Sequence, residues 1–350
     1  RQAFELKTNK VMVLEKDVHK IDSFAKRKTE PKMKNYFSCD SPPVIQVHDR
    51  QMPIHLPFQD RRQFLGSLGG GLIACQTYAS DEKTRQELVY LLNDTHIGEK
   101  HSPNSSVPMH LKQVVKELTD LDRKPVATII NGDLALKDGQ VGDYRHFADI
   151  ISPLRQARVS LHLTLGNHDN RESFYRTMKE EQPKAPVVKS RHVSMVATRH
   201  ANFFLLDSLK KTMVTPGTLG KTQIAWLTKA LDAHARKPAV IVTHHNPRLG
   251  GDPVHFPGGL VDSDELWEVL TPRRQVKAYL HGHVHDRAYA SHRGIHIINA
   301  PATSYVADPK QSTTGWTVLK LTSRNVTLTT RTNNPVHPWN NEVKVLNWRS

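Results

Sequence analysis

Five short groups of polar residues contain the side chains of this sequence that are best suited to chemistry. They are Asp94-Thr95-His96, Gly132-Asp133, Gly166-Asn167-His168-Asp169, His244-His245 and Gly282-His283-Val284-His285. Each group follows an apolar, strand-like run, and α/β folds bind their ligands at the carboxyl ends of strands. Glycine allows the tight turn that such a position requires. We therefore predict that the five groups converge on one site.

The side chains of these groups are typical of a transition-metal site. Carboxylate, amide and imidazole ligands suit Mn, Fe, Zn or Ni, whereas Ca or Mg prefers a shell made mostly of oxygen. The two cysteines, Cys39 and Cys75, precede the predicted domain, which excludes a thiolate site within it. The predicted metal ligands are Asp94, His96, Asp133, Asn167, His244, His283 and His285.

This ligand set is large enough for two cations, which need a shared anionic ligand to reduce their repulsion. Asp133 lies between the other groups in the sequence and is the natural bridge. A pair of cations about 3.5–4 Å apart stabilises both oxygens of a phosphoryl displacement and lowers the pKa of a bound water. We expect phosphate ester hydrolysis by metal-activated hydroxide. His168 would donate to the leaving oxygen or a phosphate oxygen, and Asp169 would fix the tautomer of His168.

Residues that could bind the substrate lie beside the same groups. We take His244 as the ligand because it comes first after its strand, which leaves His245 facing the substrate or supporting a ligand. Arg171, Arg248 and Arg287 are near the motifs and could clamp a phosphate in fork geometry, although solvated loop charge explains them equally well. The predicted substrate-binding residues are His245 and Arg248.

In this order the five motifs resemble those of the calcineurin-like metallophosphoesterase superfamily, over residues 87–330. The resemblance implies an α/β fold, a four-layer α/β/β/α sandwich of two mixed sheets with a dinuclear centre at the sheet ends. It also implies how the ligands divide. By that analogy one metal is held by Asp94, His96, Asp133 and His285, and the other by Asp133, Asn167, His244 and His283.

Within the superfamily the chain is similar to the class III cyclic-nucleotide phosphodiesterases. The shared features include Asp94-Thr95-His96, Leu206-Asp207-Ser208 and the histidine pair with Pro247 close behind. One departure is Asn246, which follows the pair where that group often has Pro or His, so cyclic-nucleotide specificity does not follow. The resemblance implies a phosphodiesterase. The alternatives are a phosphomonoesterase of the same fold, a nuclease and a non-catalytic metal-binding scaffold.

Strand-like and helix-like segments alternate in the region that carries the first three motifs. This order favours a parallel sheet with helices on its faces. Runs at 295–299, 316–321 and 326–330 look like strands with tight turns and indicate a mixed or antiparallel sheet in the second half. The metallophosphoesterase domain is expected at 80–331, and the polar tail at 332–350 is expected to form a strap or to fray.

The sequence before the domain is predicted to be a leader and a targeting segment. Residues 1–59 lack sustained periodicity and are expected to be disordered, or to reflect only where the chain was taken to begin. Residues 60–79 contain Arg61-Arg62, then Phe64-Leu65 and a Gly-rich apolar run, which resembles a twin-arginine export signal. A short helix with a basic cap is the alternative.

The end of that segment bears on localisation. Leu72 to Cys75 resembles a lipoprotein cleavage box, and an unmodified cysteine is the alternative. These features predict a protein exported by the twin-arginine pathway, either periplasmic or lipid-anchored at Cys75, with a cytoplasmic location as the alternative.

The chain is strongly basic, with a formal charge of +15 and a pI near 9.7. It contains no basic run interleaved with aromatic residues, so we predict a phosphorylated small-molecule substrate rather than a nucleic-acid partner. No stretch is long and apolar enough for a transmembrane helix. None of these patterns indicates an oligomeric state.

Overall fold

The computed structural model describes residues 87–102, 104–249 and 258–350. The predicted leader at 1–59 and the predicted export segment at 60–79, with Cys75, lie outside these residues. Within the described part, no helix has both the length and the apolar character needed to cross a bilayer.

The first of two six-stranded sheets is built around the strand that carries the first motif. Its strands are β1 (Glu87–Asn93), β2 (Ala127–Asn131), β3 (Leu161–Thr164), β10 (Gly315–Leu321), β11 (Asn325–Thr332) and β12 (Val343–Asn347). Their spatial order is β12-β11-β10-β1-β2-β3. Pairing is parallel from β1 to β3 and antiparallel from β1 through β10 and β11 to β12.

The second sheet carries the last two motifs. Its strands are β4 (Ser194–Ala197), β5 (Asn202–Leu205), β6 (Ala239–Val242), β7 (Val276–His281), β8 (Ala288–His292) and β9 (Ile295–Asn299). Their spatial order is β4-β5-β6-β7-β9-β8. Strands β5, β6, β7 and β9 are parallel, and the two edge strands β4 and β8 run antiparallel to their neighbours.

Helices cover the outer face of each sheet. They are α1 (Ser106–Asp120), α2 (Val141–Gln156), α3 (Arg171–Thr177), α4 (Lys221–Ala233) and α5 (Ser263–Leu270), and a 3₁₀ turn spans Lys179–Glu181. Side chains of α1, α2 and α3, such as Leu111, Phe147 and Phe174, pack on the first sheet. Leu227 of α4 and Leu266 of α5 pack on the second sheet.

The alternation of side chains along each strand explains the layers. On β1, Val89 and Leu91 point into the core between the sheets, whereas Tyr90 and Leu92 point to the helices. Both faces of the central strands are therefore apolar, as expected for parallel strands covered on both sides. The predicted α/β/β/α sandwich of two mixed sheets is confirmed.

The tail is not the strap or frayed end that its polar composition predicts. Residues 343–347 form β12, which pairs antiparallel with β11 and completes the first sheet. The turn before it is fastened by the Arg287 guanidinium, which lies 4.4 Å from the Trp339 ring centroid and pairs with Glu342 at 2.6 Å. Pairing and cation–π contact provide the order that the local sequence does not.

Candidate metal centre

The first group of candidate ligands comes from both sheets. It consists of Asp94, His96, Asp133 and His285, whose ligand atoms all lie within 4.8 Å of one another. The His96 Nε2 atom is 2.9 Å from His285 Nε2 and 3.5 Å from Asp133 Oδ2, and His285 Nε2 is 3.4 Å from Asp94 Oδ1. Two imidazole nitrogens this close can bond only if one carries the proton, whereas a cation would satisfy both.

The second group shares Asp133 with the first. Ligand atoms of Asp133, His244 and His283 also lie within 4.8 Å of one another, and His244 Nε2 is 3.2 Å from Asp133 Oδ2. The buried Asn167 Oδ1 has no hydrogen-bond partner among the described residues. Buried polar atoms are rarely left unpaired, so this oxygen suits a metal ligand shell. The structure thus brings together six of the seven predicted ligands, and Asn167 follows Gly166, whose turn packs against Asp133 and His244.

Backbone hydrogen bonds direct the ligand atoms of three histidines. His96 Nδ1 donates to the Leu136 carbonyl at 3.4 Å, and His244 Nδ1 donates to the Asn131 carbonyl at 3.2 Å. Each bond leaves Nε2 for the site. His283 Nε2 donates to the carbonyl of Gly258 at 3.2 Å, which leaves Nδ1. Fixing one ring nitrogen in this way is how proteins set the tautomer of a metal-binding histidine.

The turns that carry the ligands adopt a conformation that non-glycine residues rarely occupy. Positive φ angles between 46° and 70° occur at Asp94, His96, Asp133, His283 and His285. A left-handed residue of this kind costs roughly 1–2 kcal/mol. Such strain clusters at functional sites, where surrounding structure over-determines it. Here it turns side chains from both sheets towards one point.

Two motif glycines are required by close packing rather than by φ. A Cβ atom at Gly166 would overlap Asp133 Oδ1, and one at Gly282 would overlap Asp94 Oδ2. The glycines of Gly-Asn-His-Asp and Gly-His-x-His therefore let two motifs approach the carboxylates of two others.

The titratable groups of the cluster strongly affect one another. Burial opposes ionisation of Asp133, but the His244 and His96 imidazoles lower the pKa of this carboxyl well below its usual range. Burial lowers the pKa of His96 to about 4 and that of His283 to about 3, so both rings are neutral at pH 7. The pKa of His244 is about 9, because Asp133 outweighs the effect of burial. Deprotonated carboxylates and neutral imidazoles are the metal-binding forms, so His96 and His283 are ready to bind, whereas His244 would release a proton when it binds a metal.

Asp169 does not fix the tautomer of His168, which corrects the prediction. His168 Nδ1 donates instead to the carbonyl of Lys137 at 2.7 Å. The Asp169 carboxylate is fully buried and accepts from the Tyr144 hydroxyl at 3.0 Å. It also accepts from the N–H groups of Gly166, Leu134 and Ala135. Asp169 therefore joins the turn that carries Asn167 to the turn that carries Asp133.

His245 is buried beneath the second group. Its ring centroid lies 4.6 Å from that of His283, and its Nδ1 atom is 2.8 Å from the Ser208 hydroxyl. With no exposed surface, His245 fits the role of supporting a ligand, which corrects its prediction as a substrate-binding residue. Arg248, the other predicted substrate-binding residue, is exposed and donates from its backbone to Ser263.

The other two arginines near the motifs are engaged elsewhere. Arg171 forms a bidentate ion pair with Asp207 at 2.6 and 2.7 Å. Arg287 pairs with Glu342 in the tail, as described above. Neither guanidinium is a phosphate clamp in this arrangement.

The motif analysis missed one residue at the cluster, Tyr305. Its ring packs on the rings of His96 and His285. The criterion that found the ligands does not select it, since it is an aromatic residue that lies well past the end of β9 at Asn299.

Comparisons with known proteins agree with this geometry. The family model of the calcineurin-like phosphoesterases matches residues 88–287. A 3′,5′-cyclic adenosine monophosphate phosphodiesterase, CpdA, of Vibrio vulnificus is 30% identical over 182 residues, 52% of this chain and 62% of the relative. A cAMP/cGMP dual specificity phosphodiesterase of Mycobacterium tuberculosis is 27% identical over 65% of this chain and 71% of its own. A probable glycerophosphodiester phosphodiesterase of Arcobacter nitrofigilis is 26% identical over 62% and 79%.

Solved structures share the fold at low identity. A dimetal phosphatase from Danio rerio superimposes with a TM-score of 0.57 at 14% identity, covering 75% of this chain and 99% of that structure. A purple acid phosphatase from yellow lupin gives a TM-score of 0.52 at 14% identity, covering 76% and 54%.

Proposed function

Because this chain belongs to the calcineurin-like phosphoesterase family, we propose that it is a metal-dependent hydrolase that acts on phosphodiesters. The observation that carries the proposal is the shared position of Asp133, which belongs to both groups of candidate ligands. One carboxylate between two groups is what a pair of neighbouring cations requires.

The proposed ligands are the seven residues that the motifs predict, divided as in the two groups. Asp94, His96 and His285 complete the first group around Asp133, and His244, His283 and Asn167 complete the second. Bound cations would polarise the ester and supply a nucleophilic hydroxide near neutral pH. The mixed oxygen and nitrogen donors favour Mn, Fe, Zn or Ni, and the choice among these metals is open.

His168 is the proposed donor to the leaving oxygen. Its ring is 5.1 Å from that of His96, centroid to centroid, and partly exposed. Because Nδ1–H is held by the Lys137 carbonyl, Nε2 is the atom free to face a substrate. Its backbone N–H donates to Asp133 Oδ1 at 2.8 Å, so the position of the ring is tied to the shared carboxylate.

Two observations favour a diester over a monoester. The three relatives above carry phosphodiesterase names. A monoester dianion also needs more positive charge than a diester, and Arg171 and Arg287 are committed to Asp207 and Glu342. Asn246, which follows the histidine pair directly, is 6% exposed, and the choice among diesters is open.

The experiment is a comparison of substrates on the full chain loaded with Mn. We expect hydrolysis of bis-p-nitrophenyl phosphate and slower hydrolysis of p-nitrophenyl phosphate, with 3′,5′-cyclic AMP as the third substrate. Asp133→Asn should lower the diester rate by roughly 10³-fold or more, since it removes a charge that holds both ligand groups together. Asp138→Asn, a matched change at an exposed aspartate five residues on, should leave the rate unchanged.

The outcomes separate the candidate functions. Cleavage of the monoester alone would replace the phosphodiesterase proposal by a phosphomonoesterase. Bound metal without activity on any of the three would favour the scaffold alternative. Equal rates for Asp133→Asn and the wild type would contradict the assigned site.

Export remains a separate proposal, supported by Arg61-Arg62 and the apolar run that follows. A twin-arginine route carries folded protein, so metals would be loaded before export. Replacing both arginines by lysine should abolish export in a cell fractionation assay, and unchanged export would contradict the proposal.

A further inference from the structure

Tyr305 lies beside the first ligand group and has no part in the chemistry described so far. Its ring centroid is 4.3 Å from that of His285 and 4.9 Å from that of His96. Its surface is nevertheless 41% exposed, whereas the four residues before it are buried. A side chain that packs on two candidate metal ligands and is still open to solvent occupies the position of a substrate contact.

The backbone on both sides of Tyr305 is tied to the ligand turns. The Ser304 N–H and hydroxyl both donate to the carbonyl of Asp94, at 3.2 and 2.6 Å. The Ala307 N–H donates to the carbonyl of His285 at 3.2 Å. The ring is thus held in place before any substrate arrives, which lowers the entropy cost of using it.

The hydroxyl of Tyr305 makes no hydrogen bond to another residue in the described part of the chain. A tyrosine hydroxyl carries its proton at neutral pH, so the Tyr305 hydroxyl is available as a donor. Anionic phosphate oxygens accept such bonds with charge assistance.

We propose that the Tyr305 hydroxyl donates a hydrogen bond to a phosphoryl oxygen of the substrate and so positions the ester at the first ligand group. The inference rests on the proposed function, because it names a contact to the phosphate ester. It adds a neutral donor to a site whose neighbouring arginines Arg171 and Arg287 are paired elsewhere. Such a donor suits the single negative charge of a diester.

The test compares Tyr305→Phe, which keeps the ring, with Tyr305→Leu, which removes both ring and hydroxyl. Tyr289→Phe on β8 is the control, since its hydroxyl is 3.5 Å from Thr330 and outside the cluster. We expect Tyr305→Phe in the Mn-loaded full chain to lower kcat/KM for bis-p-nitrophenyl phosphate by roughly 10- to 100-fold. Binding of inorganic phosphate, measured by calorimetry, should weaken at least several-fold. Metal content and Tm should not change.

Three results would overturn the inference. Tyr305→Phe could match the wild type in both assays, with Tyr305→Leu alone impaired, in which case the ring and not the hydroxyl matters. Tyr305→Phe could lose Mn, in which case the residue supports the ligands. Phosphate could bind equally well to wild type and variant.

The phosphate assay also separates this inference from the proposed function. Weaker phosphate binding by Tyr305→Phe, in a protein that cleaves no diester, would support the tyrosine contact while the phosphodiesterase proposal fails. Diester cleavage that Tyr305→Phe does not affect would support the phosphodiesterase proposal and contradict the tyrosine contact.

Discussion

The two sheets contribute different chemistry to the same site. Every carboxylate among the candidate ligands follows a strand of the first sheet, namely Asp94 after β1 and Asp133 after β2. The second sheet supplies imidazoles alone, from His244 after β6 and from His283 and His285 after β7. The ligands after the strands of the first sheet form the acidic half of the site, which would carry the negative charge that holds cations. The ligands after the strands of the second sheet form the basic half, which would complete the coordination.

Contacts between the carboxylates of the first sheet and the histidines of the second sheet also join the two sheets at the site. The His283 N–H donates to both carboxylate oxygens of Asp94 at 3.1 Å, and His285 Nε2 lies 3.4 Å from the same carboxylate. Asp133 meets His244 across the interface in the same way. Below this layer the contact between the sheets is apolar, with Leu91 among its buried residues. The site is therefore a polar end of an apolar interface.

The largest effect is expected when candidate ligands are replaced and the bound metal is measured. This experiment tests whether the acidic half supplies the ligand that both groups share. Asp133→Asn should lose metal from both groups, whereas His244→Asn and His285→Asn should each lose metal from one. Activity should fall by roughly 10²- to 10³-fold in each histidine variant. Elemental analysis after dialysis measures the metal-to-protein ratio, with His292→Asn on β8 as a histidine control. Equal losses in all three variants would contradict a bridging role for Asp133.

A second prediction concerns His168, the imidazole on the acidic half that belongs to neither ligand group. His168→Gln should lower the hydrolysis of diesters with alkyl leaving groups by roughly 10²-fold or more, since a proton donor contributes most where the leaving oxygen is basic. The effect on bis-p-nitrophenyl phosphate should be much smaller, because p-nitrophenolate leaves without a proton.

The measurement is a series of diesters with leaving groups of graded basicity, with metal content determined for each preparation. An equal loss for all leaving groups would assign His168 to substrate binding. A fall in metal content would assign it to the ligand shell.

The sequence was sufficient to predict the candidate ligands because the rule that selects them is local. A polar group after an apolar strand has no use in a core, and its place at the end of a parallel strand brings it to the shared edge of the sheet. All seven predicted ligands were found in this way, and their order led to the resemblance and the four-layer fold. Tyr305 lies too far past the end of β9 for this rule to select it.

What the sequence did not predict depends on contacts between distant segments. Asp169 is adjacent to His168, but the turn sends its carboxylate to Tyr144 and the backbone behind Asp133. Arg171 follows a motif, yet α3 directs its guanidinium to Asp207. Strand β12 exists because β11 offers it a partner, since residues 343–347 alternate too weakly to indicate a strand.

The smallest expected effect is the dependence of stability on pH in protein freed of metal by chelation. His244, with a pKa raised to about 9, contributes stability that is full below its unfolded value near 6.5 and is lost as the pH rises to 9. His96 and His283, with pKa values of about 4 and 3, behave oppositely, and their contribution is lost as the pH falls below 6.5. The combined contribution of these three groups to stability is largest near pH 6.5.

Urea unfolding of metal-free protein at several pH values measures this profile. The alkaline side of this profile reports His244, and the acid side reports His96 and His283. His244→Asn should flatten the alkaline side while keeping the acid side, and His283→Asn should weaken the acid side only. An unchanged alkaline slope in His244→Asn would mean that the Asp133–His244 pair does not hold the two sheets together. In that case the apolar core beneath the site would hold the two sheets together. The contrast between the acidic and the basic half would then matter for metal binding alone.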